Sequence, residues 1–106
     1  MGFEHVESLE RKLAKFYNAP YAVAVDCCTH GVELSLRYTK AKSIEVPKRT
    51  YLSIPFLSHK LGIELKWIDN DWVDYYYVTN KVIDAAVLWK KDSYIPGTFM
   101  SISFQF

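Results

Sequence analysis

Between Asp26 and Gly31 the chain reads Asp-Cys-Cys-Thr-His-Gly, so a carboxylate, two thiols, a hydroxyl and an imidazole follow one another. Small and polar residues at the start of a helix leave its first backbone N–H groups facing outward. Those groups, together with the helix dipole, favour an anion. A thiol in the same place is a nucleophile with a lowered pKa, for which His30 or His59 could serve as base. No oxyanion donor or orienting third residue can be assigned to complete such a pair. The plainest role for Asp26 or Thr29 is to cap the helix. The two cysteines, Cys27 and Cys28, are neighbours. They cannot staple distant segments and do not make up a metal set, which suits a reducing compartment and makes the cytoplasm the expected location.

The elements around this run set what it can face. Tyr21 to Val25 is short, apolar and uncharged, and reads as a buried strand; Val32 with Leu36 and Leu34 with Tyr38 fall four apart, so a helix follows it to about Tyr38. Upstream, Phe3, Val6, Leu9, Leu13 and Phe16 recur at helical steps, predicting an amphipathic helix on a core that Asn18-Ala19-Pro20 ends. Downstream, Ser43 to Val46 is a strand closed by Pro47, and Lys48 to Tyr51 is the loop beyond it. A helix from near Ser53 carries Pro55 in its first turn and stops at Gly62. Ile63, Leu65 and Trp67 alternate with Glu64 and Lys66, predicting a strand with one solvated face. Strands alternating with helices imply a largely parallel sheet with ligands beyond the carboxyl ends of its strands, so the loops there share one edge.

Past Asp69 come a turn at Asn70-Asp71, an aromatic stretch from Trp72 to Val78, and a short strand Val82-Ile83-Asp84-Ala85-Ala86. A carboxylate among such neighbours needs a partner. Tyr94 to Gly97 turns the chain into a last alternating strand from Thr98 to Phe106. The 106 residues, half of them hydrophobic, suit one small core, hence a single domain over 1–106. The net charge of +1 leaves no nucleic-acid footprint, and no apolar run is long enough to span a bilayer.

In order, Phe3-Glu4, Tyr21-Ala-Val-Ala-Val-Asp-Cys-Cys-Thr, Val46-Pro47 with Thr50-Tyr51, Leu61-Gly62 to Trp67-Ile68-Asp69, Asp84-Ala85-Ala86 and Ser101-Ile102-Ser103-Phe104 resemble the DegT/DnrJ/EryC1/StrS family. These are fold-type I sugar aminotransferases that use pyridoxal phosphate. The resemblance implies an α/β, three-layer fold with a mostly parallel sheet flanked by helices, like a truncated large domain of a pyridoxal-phosphate transferase. It also implies a cofactor pocket. Cys27-Cys28-Thr29 matches the family's Ser-Gly-Thr turn, whose backbone and hydroxyl hold the phosphate. Tyr51 matches the aromatic that stacks on the pyridine ring, Asp84 the carboxylate on the pyridinium nitrogen, and Ser103 a serine that reaches the phosphate. Outside the resemblance, Tyr51 reads equally as a core tyrosine and Ser103 as the outer face of a strand.

The departures are as specific. Cysteines replace Ser-Gly and add bulk, Val87 stands where the family usually has a polar contact to the cofactor, and Asp69 and Asp84 lie closer together than in typical members. Counted onward from Ser103, the lysine that links covalently to the cofactor falls past Phe106. Covalent linkage at the family position is therefore not possible within these residues, and the expectation is an N-terminal part of a nucleotide-sugar aminotransferase, inactive alone. The alternative is a non-catalytic interaction or structural module, truncated or from a split gene, that pairs with itself as a dimer or with a missing C-terminal half. Its aromatic load, Trp67, Trp72, Tyr75, Tyr76, Tyr77, Phe99, Phe104 and Phe106, suits an interface.

Overall fold

A computed structural model describes residues 3–69 and 71–104. Helix α1 (Phe3–Tyr17) ends where Asn18 takes a left-handed conformation at φ 58°. Helix α2 (Cys28–Tyr38), strand β1 (Ser43–Pro47), helix α3 (Ser53–Leu61) and strand β2 (Glu64–Ile68) follow, each within a few residues of its expected place. Gly62 stops α3 at φ 68°, a conformation that costs glycine little. Three short strands complete the chain: β3 (Tyr76–Tyr77), β4 (Val82–Asp84) and β5 (Phe99–Ser101).

The fold is mixed α/β. β1 pairs with β2 in parallel, β4 with β5 in parallel, and β3 with β4 antiparallel. These make two sheets, β1-β2 and β3-β4-β5, which meet where the Glu45 N–H donates to the Val78 carbonyl at 2.9 Å. Helix α2 lies on β4 and β5, α3 lies on β1 and β2, and the helices touch each other. Between them Val32, Leu36, Ile44, Val46, Ile54, Leu57 and Val82 are buried together. A smaller cluster of Ile83, Ala85 and Leu88 forms with Tyr75, Ile95 and Ile102 packed against it.

The N-terminal third departs from expectation. Tyr21 to Val25 forms no strand: Tyr21 is 84% and Val23 79% exposed. An isolated extended run has nothing to complete its ladder, and the free side of β5 does not reach it among the described residues. Its Ala24 N–H donates instead to the Glu10 side chain at 2.7 Å. Helix α1 has the expected period but not the expected core: Phe3, Val6, Leu9 and Phe16 are exposed. It packs on no other helix or strand among the described residues. Its C-terminal end is its anchor, where the buried Tyr17 hydroxyl donates to the Leu88 carbonyl and the Tyr94 N–H to the Tyr17 carbonyl. On β2, Leu65 packs on the core, but Trp67 at the strand end is exposed. The last strand is only three residues long. Asn70 of the expected turn, and Gln105 and Phe106 of that strand, lie outside the described residues.

Candidate functional site

Between the largely exposed run 19–27 and strand β5 lies a groove of about 1400 Å³. Cys27, Cys28, Thr29, Tyr51, Asp84 and Ser103 all line it, although they come from four separate stretches of the chain. Chain order explains the convergence. The turn before α2, the loop after β1 and the end of β4 open toward the same side, and the start of α2 lies against α3. There the Thr29 hydroxyl donates to Ser53 Oγ at 2.9 Å.

Each of these residues stands in a different environment. Cys27 is the N-cap of α2, extended at φ −155° and ψ 161°, and no side chain caps the helix. Neither Asp26 nor Thr29 takes that role; Asp26 instead pairs with His30 Nδ1 at 2.6 Å. Cys28 is partly buried, and burial followed by the nearby Asp84 charge pushes its thiol up to about 12. That is the opposite of an activated thiolate. Tyr51 is 73% exposed over the groove. Ser103 is half-buried, held by its N–H to the Ala86 carbonyl at 3.3 Å and by the Trp89 indole N–H to its own carbonyl at 2.9 Å.

Asp84 is the buried one, 6% exposed at the end of β4. Its carboxylate accepts the Tyr76 hydroxyl at 2.9 Å and the Ala86 N–H at 3.2 Å. The single Tyr76 proton goes to Asp84, so the Thr50 hydroxyl must donate to Tyr76 across their 2.6 Å contact. Burial raises the Asp84 carboxyl above the ordinary value of 3.8, and these two donors only partly oppose it. Burial raises Tyr76 as well, so it stays a neutral donor. Among the described residues no cation pairs with Asp84.

Three groups stand out here that the sequence did not single out. Tyr76 and Thr50 form the donor chain behind Asp84. Gly31 brings α2 close to β5, since a Cβ there would stand 3.0 Å from Ser101 Oγ. The cue that could have found Tyr76 was the acid itself: a carboxylate in Val-Ile-Asp-Ala-Ala needs a donor, and an antiparallel neighbour rich in tyrosine supplies one. The turn also gathers Asp26, Cys27 and His30, whose donor atoms all lie within 4.8 Å of one another.

Compared with models of known protein families, the chain matches the DegT/DnrJ/EryC1/StrS aminotransferase family over residues 1–96. The match takes in every groove residue above except Ser103. No curated protein and no solved structure gives a match.

Proposed function

This chain belongs to the DegT/DnrJ/EryC1/StrS aminotransferase family, and from that premise we propose that its groove binds a phosphorylated pyridine cofactor, pyridoxal or pyridoxamine phosphate, without covalent attachment. The observation that carries the reading is Asp84: a buried carboxylate with two donors and, among the described residues, no cation, in the groove that also receives the start of α2. A pyridinium N–H is the cation that this carboxylate lacks. The donor set fits the rest of the group. The first turn of α2, without a side-chain cap, faces a phosphate favourably, and the neutral Cys28 thiol adds no repulsion. Tyr51 offers a flat face at the groove wall.

When bound, such a cofactor supplies an electron sink for chemistry at an amine-bearing carbon. The residues of this chain hold and orient it. Asp84 keeps the ring nitrogen protonated, Tyr76 and Thr50 keep Asp84 in place, and Thr29 and the α2 turn hold the phosphate. A sugar substrate would need groups beyond those named here.

A second reading has its own observation. The apolar stripe of α1 and the run Tyr21 to Val25 are exposed together, as on a module that pairs with a second copy or with a missing C-terminal half.

Calorimetric titration with pyridoxamine phosphate tests the first reading, because this amine form needs no lysine to bind. Saturable binding that inorganic phosphate competes away, and that Asp84→Asn weakens by about 1 to 3 kcal/mol, is expected. Equal affinity in wild type and variant would remove Asp84 from the site. No heat, from a folded sample whose mass rises with concentration in sedimentation, would favour the module.

A further inference from the structure

Asp26, Cys27 and His30 offer a carboxylate oxygen, a thiol sulfur and an imidazole nitrogen from one exposed turn, all within 4.8 Å of one another. Two of these donors are already aimed at each other, with His30 Nδ1 2.6 Å from the Asp26 carboxylate. Cys27 is free and exposed, so both its sulfur and a route to it are open. We propose that this turn is a surface site for a zinc-like divalent cation, bound by Asp26, Cys27 and His30 with water as fourth ligand.

The geometry is near what such an ion asks. Ligands at about 2.0 to 2.3 Å from one tetrahedral zinc lie roughly 3.3 to 3.8 Å apart. The Asp26–His30 contact must open slightly and Cys27 must turn inward, changes that exposed side chains make without moving the core. The mixed oxygen, nitrogen and sulfur set favours zinc-like ions over magnesium or calcium, which take oxygen alone. The start of α2 repels a bare cation. It is indifferent to this complex, because the Asp26 carboxylate and the Cys27 thiolate neutralise a double positive charge. Binding releases the thiol proton to solvent and moves the Nδ1 proton that His30 now donates to Asp26 either to Nε2 or to solvent, while Sγ and Nδ1 take up bonds to the metal. The neighbouring Glu33 carboxylate is already occupied by Arg37 and Lys60 and takes no part.

This site does not depend on the cofactor reading, which uses the backbone of the turn and not these side chains. Titration of the full chain with Co²⁺ alone, followed by Zn²⁺ displacement, reads it directly. One equivalent should give tetrahedral d–d bands and a sulfur-to-cobalt charge-transfer band. Cys27→Ser should abolish the charge-transfer band, and His30→Ala or Asp26→Ala should weaken binding by roughly 10-fold to 100-fold or more, at least the loss seen when a mere supporting partner is removed. Cys28→Ser should leave the charge-transfer band in place. Absence of the bands in a folded sample would overturn the site. So would a charge-transfer band that survives Cys27→Ser, or affinity indifferent to both Asp26 and His30.

Discussion

Among the described residues two carboxylates are buried, Glu33 on α2 and Asp84 on β4, and their surroundings differ sharply. Glu33 accepts Lys60 Nζ at 2.9 Å and Arg37 Nε at 3.0 Å, tying α2 to α3. The Lys60 hydrogen bond is the largest influence and outweighs desolvation, and with the Arg37 hydrogen bond and the two cationic charges it holds the carboxyl below the ordinary range. Asp84 has a hydroxyl and an amide but, among the described residues, no cation, and its carboxyl is raised. An acid that already has its counter-charges is complete as structure. On the function proposed above, the counter-charge that Asp84 lacks would arrive with a ligand.

The largest expected effect comes from cutting the donor chain behind Asp84. Tyr76→Phe leaves the carboxylate with the Ala86 amide alone, and should cost about 1 to 3 kcal/mol in urea denaturation at neutral pH. The loss should shrink in acid, where Asp84 is protonated. A loss that is the same at both pH values would mean that Tyr76 contributes by packing, not by charge.

The two acids should also pull stability in opposite directions as pH changes. In the window between 3.8 and the raised value of Asp84, the folded state holds the extra proton. Stability from this group therefore falls as pH rises through that window. For Glu33 the folded value is depressed, so its contribution is complete above 4.5 and is lost as pH falls below it. Asp84→Asn should remove the first slope and Glu33→Gln the second. Glu33→Gln should cost only about 1 kcal/mol, since Lys60 and Arg37 are more than half exposed and well screened. Identical pH profiles in the two variants would erase the distinction drawn between them.

How much of this was legible in the sequence depended on whether a segment carries its own partner. From α2 to β2 the helical spacing of Val32 and Leu36, the stops at Pro47 and Gly62, and the alternation about Leu65 each name a local structure, and neighbours close in sequence complete it. The family resemblance was legible in the same way, through an ordered series of short runs. Tyr21 to Val25 has the composition of a buried strand, but a strand exists only through its neighbour, and no neighbour forms among the described residues. Likewise the period of α1 predicted the helix and could not say whether a core lay beneath it. The discomfort of Asp84 was readable from Val-Ile-Asp-Ala-Ala; that Tyr76 would relieve it depended on the antiparallel pairing of Tyr76 with Asp84.

Gly31 sharpens the comparison by the smallest step, because it sits two residues from Glu33 on the same helix but faces the sheet that carries Asp84. Alanine at this helical position should gain up to about 1 kcal/mol from propensity alone. Its methyl group, however, would stand 3.0 Å from Ser101 Oγ and 3.5 Å from Val25 Cγ2, and Ser101 is buried. Ser101 must turn away or α2 must lift from β5, so Gly31→Ala should be neutral to slightly destabilising despite the better helix former. Removing the obstacle should restore the gain: the double variant with Ser101→Ala should be more stable than the sum of the single changes predicts, by about 0.5 to 1 kcal/mol. Additive single effects would mean that α2 and β5 do not meet at this point, and that the α2 turn and Asp84 are not held in register by this contact.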